Sequence, residues 1–419
     1  MSAIVIGGGI AGCGTAYALA KRGIAVTLID RHAQLAQEAS GNPLAMLYPK
    51  LSIKPNLQSI ITTHGFYFTL ELLQQLTNHA RFFNGDFFDT CGQIQLAFNA
   101  AEKTKQAELC KEGYWHKNSD FFRLVDCAEA SAIAGIALKT GGIFLPQAGW
   151  VNPQLLCAAL SNHALIKVQT AQHVLAITPY QNEGRNGCPN SCPNSWPNNW
   201  KVQLKDGEIQ AEYVIICNAN DIKQFNFCQS AKITPVRGQI DFFTPNAASA
   251  HLKSIICSDH YVSPAVDGMH SIGTTYAPND TNPAISAADT QRNLNALRTI
   301  SPEIYAEINL NDVQSRVSWR SQTLDYRPLA GQLLDETKLR ANPPRYNANP
   351  ADLPWLHGLY VNAGHGSKGM ITAPICGELV ANLITKTPLP MDEKLISSLN
   401  PSRFLLRELG LKQLAALLY

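Results

Sequence analysis

The chain has 419 residues, 45% of them apolar, and its 34 lysines and arginines nearly balance its 32 aspartates and glutamates, for a formal net charge of +2. A chain of this length and composition can bury a large core, which is typical of a globular, soluble protein of two or three folding units. The nearly neutral net charge therefore gives no indication of a nucleic-acid or membrane partner. A local basic face is still compatible with this composition.

Targeting and redox features of the sequence favour the cytoplasm. No stretch approaches the roughly 18 uninterrupted apolar residues of a membrane span. The first apolar residues are already needed for a predicted strand and have no basic lead-in, so a signal peptide is not expected. The eleven cysteines are scattered and odd in number, which favours reduced thiols over a disulfide framework. We therefore expect a cytoplasmic protein without membrane association.

The first predicted element is a buried strand at residues 4–6 that runs into the glycine-rich stretch 7–12. A helix is predicted from Ile10 to about Lys21, and a second apolar strand at residues 25–29 ends in Asp30. This order of strand, glycine turn, helix, strand and acid is typical of a βαβ unit that binds a dinucleotide. A βα turn with a purely structural role is the alternative.

Each residue type in this unit has a physical reason. Gly7 permits the tight turn, Gly9 lets backbone N–H groups approach a pyrophosphate, and Gly12 allows close packing of helix on strand. The helix N-terminus offers unpaired N–H groups to the phosphates. Asp30 can accept hydrogen bonds from the ribose hydroxyls and disfavours a 2′-phosphate, so the pattern indicates FAD or NAD rather than NADP.

The middle of the chain alternates helical and strand-like patterns. Helices are predicted at residues 58–76, 102–115 and 154–163, and strands at residues 82–98 and around 141–146. Residues 187–200 repeat Cys-Pro-Asn-Ser and are dense in turn formers, so they are predicted to form a loop. Cys188 and Cys192 could ligate zinc, but no second Cys or His pair stands nearby, and an inserted hairpin without metal is the favoured interpretation.

Later strands predict a second domain. A buried strand at residues 211–220 ends in small polar residues, which again suits a ligand at the edge of an open sheet. Residues 236–243, 255–262 and 271–276 read as successive strands, and some of them lie too close together for helical crossovers. An antiparallel sheet is therefore predicted for this part of the chain.

The chain closes with another strand–glycine–helix unit, in which a strand at residues 359–363, a glycine turn at 364–369 and a helix at 373–384 follow one another. A cofactor held by both ends of the sequence implies a discontinuous domain. The predicted fold is α/β, a Rossmann-like FAD-binding domain with an inserted, mainly antiparallel substrate domain. The FAD-binding domain is assigned residues 1–85, 148–228 and 325–419, and the substrate-binding domain is assigned residues 86–147 and 229–324.

Six separated motifs carry a resemblance over nearly the whole length: GGGIAG, GGIFLPQAGWVNP, VIICNAN, VRGQ, WRSQTLDYRPLAG and AGHGSKGMITAP. In this order they resemble the flavin-dependent amine oxidases of the D-amino-acid oxidase and glycine oxidase family. Within it, ASGNPLAMLYPKLS, the segment GSKGMITAPICGELVANLI and the tail at residues 399–407 resemble the oxidoreductase domain of the MnmC group of tRNA-modifying enzymes. Lys368 stands where that group has arginine, and Ala219 where glycine is usual.

The resemblance implies FAD as cofactor and oxidation of an amine beside a carboxylate-bearing carbon. For the MnmC group the substrate is 5-carboxymethylaminomethyl-(2-thio)uridine at the tRNA wobble position, which is cut to 5-aminomethyl-(2-thio)uridine and glyoxylate. Molecular oxygen is the expected electron acceptor. Because the chain starts directly at the first strand, the methylation that follows is expected from a separate methyltransferase, if it takes place.

Two other functions stay open. One is a free amino-acid oxidase, acting on glycine, sarcosine or a D-amino acid and releasing hydrogen peroxide. The other is a non-catalytic, flavin-containing module that binds tRNA. Lys50, Lys54, Arg403 and Arg407 are candidates for a basic face toward tRNA, with ordinary solvated charges as the alternative.

The expected catalytic residues follow from the same resemblance. Arg320 resembles the family's substrate clamp, since a guanidinium binds a carboxylate with two parallel hydrogen bonds; a surface or interdomain salt bridge is the alternative. Tyr261 matches a pocket tyrosine, and Lys368 complements the carboxylate or the flavin. His365 is as readily a packing residue as a base, because hydride transfer from a neutral amine needs no strong base.

The expected FAD contacts are drawn from both ends of the chain. They are Gly7, Gly9, Ile10, Ala11, Gly12, Asp30, Arg31, Ser40, Gly41, Asn42, Met46, Val174, Gly364, Gly366, Ser367, Lys368, Gly369 and Met370.

Overall fold

The computed structural model describes residues 1–79, 87–111, 121–180 and 199–418. Of the loop predicted at residues 187–200, the part with Cys188 and Cys192 lies outside these ranges, and the prediction was wrong for Asn199 and Trp200, which begin a strand. None of the helices formed by the described residues is long and apolar enough to cross a membrane.

The described strands, in chain order, are β1 (Ser2–Ile6), β2 (Ala25–Ile29), β3 (Ala45–Leu47), β4 (Phe88–Asp89), β5 (Gln93–Leu96), β6 (Arg123–Val125), β7 (Gly142–Leu145), β8 (Gly149–Val151), β9 (Ile166–Gln169), β10 (Val174–Tyr180), β11 (Asn199–Leu204), β12 (Gly207–Ala211), β13 (Tyr213–Ile216), β14 (Ile233–Phe243), β15 (Ile255–Cys257), β16 (Tyr261–Val262), β17 (His270–Gly273), β18 (Ala277–Pro278), β19 (Gln314–Thr323), β20 (Leu329–Leu334) and β21 (Trp355–Ala363).

The described helices are α1 (Ile10–Ala20), α2 (Leu57–His79), α3 (Ala100–Lys111), α4 (Cys127–Ala134), α5 (Pro153–Ser161), α6 (Ala287–Ile300), α7 (Pro302–Ala306), α8 (Glu336–Ala341), α9 (Gly369–Thr385), α10 (Glu393–Leu399), α11 (Arg403–Glu408) and α12 (Lys412–Ala415).

A six-stranded sheet in the order β20-β21-β13-β1-β2-β9 forms the centre of the first unit. All neighbours are parallel except β20 and β21, which are antiparallel. The strand at the start of the chain thus lies two places from β21, which begins more than 350 residues later. The sheet confirms the predicted Rossmann-like fold built from both ends of the sequence.

Both faces of this sheet are covered, which explains why β1 reads as a continuous apolar run. Ala3 and Val5 point into a core shared with α1, α5 and α9. Ile4 and Ile6 point the other way, into a core shared with the three-stranded antiparallel sheet β10-β11-β12. The alternation follows from the two-residue period of a strand.

A second sheet has the order β18-β14-β17-β16-β15-β5-β7-β6, with β19 paired to β14. Its described pairs are antiparallel, as predicted, apart from β5 and β15, which run parallel. Helices α4, α6 and α7 pack on it around Leu294, Leu297 and Ile304. Every strand of this sheet falls within residues 86–147 or 229–324, while the domain boundaries themselves stay a prediction.

Several predicted element bounds were wrong. The strand predicted at residues 255–262 is two strands, because the amide of Ser258 donates to the carbonyl of His260 and closes a turn. The strand predicted at 271–276 ends at Gly273. The strand predicted at 82–98 is, in its described part, β4 and β5, separated at Gly92, whose φ is +79°. Helix α3 ends at Lys111 in the described residues.

The C-terminal helices are fastened to the sheet by one carboxylate. Asp325, in the turn between β19 and β20, accepts hydrogen bonds from Arg403 Nη2 at 2.8 Å, Arg327 Nη2 at 2.6 Å and Arg407 Nη1 at 3.2 Å. Arg403 is fully buried and also donates to the carbonyls of Pro328 and Leu399.

The hydrogen bonds between Asp325 and the arginines have two consequences. Although burial alone would raise the pKa of Asp325, the hydrogen bonds and positive charge of Arg403 and Arg327 lower it far below its ordinary value. The sequence placed Arg403 among candidates for a basic face toward tRNA, and that candidate was wrong, because a fully buried guanidinium cannot reach a phosphate.

We predict that Arg403→Ala destabilises the fold by about 3–5 kcal/mol at neutral pH, since removing one partner of a buried ion pair leaves polar groups unpaired. A lowered carboxyl pKa contributes stability that is present above the unfolded pKa, roughly 3.9, and is lost as pH falls below it. The difference between wild type and variant in urea unfolding should therefore shrink below about pH 4.

The matched control is Arg340→Ala, which removes an exposed ion pair with Glu408 and should cost less than about 1 kcal/mol. Equal losses in the two variants would show that the buried pair adds nothing to stability.

Candidate active site

A cavity of about 500 Å³ lies where the two large sheets meet. One wall is formed by residues just beyond the carboxyl ends of β1, β2, β13 and β21, the edge at which open parallel sheets bind ligands. The other wall comes from β14, β16 and β19 of the second sheet. This volume is typical of small-molecule and cofactor sites.

Most of the residues predicted for the site meet at this cavity. Those that line it are Gly7, Gly9, Ile10, Ala11, Asp30, Arg31, Ser40, Asn42, Met46, Val174, Tyr261, Arg320, Gly364, Gly366, Ser367, Gly369 and Met370. Gly12, Gly41 and Lys368 do not line it. The contact of each predicted residue with a cofactor stays a prediction.

The first glycine turn is shaped by close backbone contacts. Gly7 has φ +109°, in the region that favours glycine. A Cβ added to Gly12 would stand 1.7 Å from the carbonyl oxygen of Gly7, so only glycine lets α1 start this close to β1. Gly9, at the N-cap of α1, has no side chain to cap the helix, and the first turn of α1 lines the cavity through Ile10 and Ala11.

Asp30 stands at the end of β2, as predicted. Its carboxylate accepts from the amide of Gly8 at 2.6 Å and from that of His32 at 2.8 Å, and it lines the cavity near Val174, the first residue of β10. Arg31 is half-exposed and forms ion pairs with Glu38 and Asp221. Arg31 thus links the loop after β2 to the segment after β13.

The loop at residues 37–42 closes over the start of α1. Ser40 Oγ accepts from the amide of Ile10 at 3.1 Å. Arg316 on β19 holds the loop from the other sheet by donating to Asn42 and to the carbonyls of Gln37 and Glu38. A Cβ at Gly41 would stand 2.7 Å from the carbonyl oxygen of Ala36, a backbone atom, which explains why this position is a glycine although it does not line the cavity.

The orientation of Arg320 leaves charge available to a ligand. Its Nη2 donates to Thr274 Oγ1 at 2.8 Å and its Nη1 to the carbonyl of Thr275 at 3.3 Å. The guanidinium lies over Gly238, where a Cβ would stand 2.7 Å from it. No carboxylate among the described residues lies within ion-pairing distance of Arg320. The interdomain salt bridge considered from the sequence is therefore absent from the described part of the chain.

Two tyrosines face the same end of the cavity. Tyr261 is buried, and its hydroxyl is 3.0 Å from Ser271 Oγ. Tyr48, which the sequence did not single out, also lines the cavity. Burial raises the pKa of both phenols, and the positive charge of Arg320 acts against that rise. Both are neutral hydroxyl groups at physiological pH.

Lys368 lies behind this end of the cavity. Its Nζ donates to the carbonyl of Tyr48 at 3.2 Å and is placed over the face of the Tyr48 ring. Burial lowers the pKa of Lys368 well below its ordinary value, and the nearby charge of Lys50 acts in the same direction. Lys368 therefore contacts a lining residue and, in this arrangement, does not itself line the cavity.

His365 is held neutral by its surroundings. Its Nδ1 is 3.0 Å from Thr372 Oγ1, and its Nε2 is inaccessible and has no partner among the described residues. Burial lowers the pKa of His365 to about 3. The ring therefore gains no proton between pH 5 and 9, which favours the packing or hydrogen-bonding role over that of a base.

Unpartnered polar atoms give a test of whether a cofactor fits here. Among the described residues, Asn218 Oδ1, Asn220 Oδ1 and His365 Nε2 are buried without a hydrogen-bond partner, and all three residues line the cavity. Buried polar groups without partners are uncommon in proteins. A polar ligand that spans the cavity from Asn220 to His365 would satisfy them, and FAD has suitable acceptors and donors along its length.

The sequence missed several residues of this cavity. Asn218 and Asn220 follow a strand whose polar end was noted, and the φ of +53° at Ala219 explains why glycine is usual there. Tyr48 lies within ASGNPLAMLYPKLS, a motif that carries the resemblance but indicates no role for this tyrosine. Arg316 carried no sequence signal, because its partners are 274 or more residues away.

Comparison with protein families gives one match over most of the chain. Residues 2–383 match the family model DAO, described as FAD dependent oxidoreductase. No group of three or more His, Cys, Asp or Glu side chains among the described residues is arranged to hold a metal ion.

Two curated relatives have the same printed name, tRNA 5-methylaminomethyl-2-thiouridine biosynthesis bifunctional protein MnmC. The protein of Methylobacillus flagellatus is 39% identical over 417 residues, which are 98% of this chain and 60% of that protein. The protein of Pseudomonas savastanoi pv. phaseolicola is 37% identical over 418 residues, or 97% and 59%. The chain thus spans about 60% of the length of these relatives.

Solved structures share the fold at low sequence identity. Glycine oxidase from Geobacillus kaustophilus aligns with a TM-score of 0.75 and 20% identity over 96% of this chain and 98% of that chain. L-proline dehydrogenase from P. horikoshii aligns with a TM-score of 0.73 and 20% identity over 98% of each chain. These likenesses confirm the predicted glycine-oxidase-like fold.

We predict that Gly12→Ala abolishes flavin retention, because its Cβ must displace the Gly7 carbonyl and with it the turn that receives the pyrophosphate. The measurement is the ratio of flavin to protein absorbance after purification. Gly14→Ala is the matched control on the same helix, since its Cβ would meet Pro374 at 3.4 Å, an ordinary contact. Full flavin content in Gly12→Ala would contradict this account of the turn.

Proposed function

The chain belongs to the DAO family of FAD-dependent oxidoreductases, and from that premise we propose that it oxidatively removes the carboxymethyl group from 5-carboxymethylaminomethyl-(2-thio)uridine at the tRNA wobble position. The products are 5-aminomethyl-(2-thio)uridine and glyoxylate. FAD as the predicted cofactor is confirmed by the family, while the substrate is inferred from the likeness to the MnmC relatives and from the cavity.

One observation carries this proposal, namely the free guanidinium of Arg320 in the cavity wall. A cation held by Thr274 and Thr275, without a carboxylate partner among the described residues, is prepared to bind an anion. A substrate carboxylate can take two parallel hydrogen bonds from such a group. The carboxymethyl arm of the modified uridine ends in a carboxylate, two bonds from the secondary amine that is oxidised.

The other lining residues then orient the reacting atoms. Arg320 fixes the carboxylate, and the hydroxyls of Tyr261 and Tyr48 lie at the same end of the cavity. With the carboxylate fixed, the CH₂ group between it and the nitrogen is held in place. Lys368 acts through Tyr48, whose ring and carbonyl it contacts.

The protonation state of the amine decides reactivity, since only the neutral amine can release a hydride from the adjacent carbon. His365 gains no proton in the working range and does not serve as the base. When bound, FAD supplies the acceptor for the two electrons of the C–H bond beside nitrogen. Water then hydrolyses the resulting substrate imine to the primary amine and glyoxylate. Apolar side chains such as Leu44 and Ile240 keep bulk water from the cavity wall.

The partners follow from this reaction. We propose tRNA as the substrate, molecular oxygen as the final electron acceptor with hydrogen peroxide as product, and the cytoplasm as the location. The methylation that follows would be carried out by a methyltransferase, which is a separate protein if this chain acts alone.

The direct test is incubation with tRNA from cells that lack this activity, followed by nucleoside analysis. We expect loss of the carboxymethyl group and release of equimolar glyoxylate. Peroxide release with glycine or sarcosine but not with tRNA would replace the proposal by a free amino-acid oxidase. No turnover of either substrate by the flavin-loaded protein would indicate a non-catalytic tRNA-binding module.

We predict that Arg320→Ala lowers kcat/KM for the modified tRNA by about 30- to 1,000-fold, because truncating a buried charge partner costs about 2–4 kcal/mol. The kcat/KM of Arg320→Lys should lie between those of wild type and Arg320→Ala, because lysine keeps the charge but loses the paired hydrogen bonds. Flavin content should stay unchanged in both variants.

The matched control for Arg320 is Arg292→Ala, which removes an exposed arginine whose ion-pair partner among the described residues is Asp289. This variant should retain wild-type kinetics. Unchanged kcat/KM in Arg320→Ala would remove Arg320 from the substrate site.

A further inference from the structure

The turn between β19 and β20 exposes an aromatic ring in a constrained backbone. Tyr326 has φ +59°, a left-handed conformation that bulky residues rarely adopt, and its side chain is 55% exposed. The preceding residue, Asp325, forms ion pairs with Arg327, Arg403 and Arg407. The ion pairs of Asp325 therefore fix the turn that carries Tyr326.

Tyr326 lies beside the candidate active site. It lines a small second cavity together with Gln322 and Lys368, and that cavity shares the turn at residues 364–367 with the main one. Gln322 is two residues beyond Arg320 on β19, so both side chains lie on the same face of the strand, about 7 Å apart along it.

Gln322, which lines the same small cavity as Tyr326, binds a second exposed aromatic residue. Its Nε2 donates to the hydroxyl of Tyr276 at 2.7 Å, and Tyr276 is 50% exposed. On the other side, Lys50 Nζ is 5.9 Å from the centre of the Tyr326 ring. We name the group Lys50, Tyr276, Gln322 and Tyr326 the rim.

The charge of the rim is positive. Lys50 is exposed and has no ion-pair partner among the described residues. The carboxylate of Asp325 is already matched by three guanidiniums, so this turn carries excess positive charge. Exposed rings with neighbouring cations are the arrangement by which proteins stack unpaired nucleobases and contact the adjoining phosphates.

We propose that the rim receives the unpaired nucleotides that flank the modified uridine, with Tyr326 and Tyr276 stacking on their bases and Lys50 contacting a phosphate. This inference rests on the proposed function and makes it more specific, because it assigns the substrate class to a single-stranded RNA loop rather than to a free nucleoside or amino acid. Arg320 then binds the reacting arm, and the rim binds its neighbours.

The kinetic test compares the modified tRNA with the free nucleoside 5-carboxymethylaminomethyluridine, which has the same reacting group and no neighbours. Tyr326→Ala should lower kcat/KM for the tRNA about 5- to 150-fold, the effect of one lost stacking contact, and leave kcat/KM for the nucleoside unchanged. Tyr326→Phe should restore the wild-type value, since stacking needs the ring and not the hydroxyl.

Two control variants separate the rim from general surface effects. Tyr346→Ala removes a tyrosine that is 69% exposed and lines neither cavity, and it should change neither reaction. Lys50→Ala should reduce the salt dependence of kcat/KM for the tRNA, whereas Lys139→Ala, at another exposed lysine, should not. An equal loss for tRNA and nucleoside in Tyr326→Ala, or no loss for either, would overturn the proposal.

A binding measurement tests the rim even if the protein oxidises neither the tRNA nor the nucleoside. Fluorescence anisotropy with an unmodified anticodon stem–loop RNA and the flavin-loaded protein should show weaker binding in Tyr326→Ala than in wild type and Tyr346→Ala. If wild type oxidises neither substrate but this difference is found, the proposed function fails and the rim stands. If wild type acts on the tRNA but Tyr326→Ala binds RNA equally well, the rim fails alone.

Discussion

The close approach of α1 to β1 at Gly12 is the constraint on which the rest of the site depends. With no Cβ between them, the helix begins directly at the end of the strand, and its N-terminal residues line the cavity. The segments that follow β2, β13 and β21 can line the same cavity because β1 lies between β2 and β13 in the sheet.

Strand β19 places two arginines, Arg316 and Arg320, along its length, and the turn after it contains Asp325. Arg316 reaches back to the loop at residues 37–42 and orders the start of the cofactor site. Arg320, four residues on, faces the cavity with its charge unmatched among the described residues. Beyond the strand, Asp325 gathers the arginines of the C-terminal helices. Of these cations, the structure leaves Arg320 available for a ligand.

Much of this fold could be predicted because its indications are local. The spacing of Gly7, Gly9 and Gly12 before a helix, with Asp30 after the next strand, depends only on residues close in sequence. The second glycine turn at residues 364–369 could be paired with the first for the same reason. Strand bounds such as 255–262 were less predictable, because a turn closed by one backbone hydrogen bond leaves little trace in composition.

The sequence by itself determined the cofactor class, the discontinuous sheet and the family, since each depends on backbone geometry that short motifs encode. Only the tertiary structure decided what each charge does. Arg403 and Arg320 look alike in the sequence, yet one is buried against Asp325 and the other lies in a cavity wall, where no carboxylate of the described residues pairs with it. The difference arises from partners about 80 and 45 residues away, and such long-range pairing is set by packing, which no local pattern records.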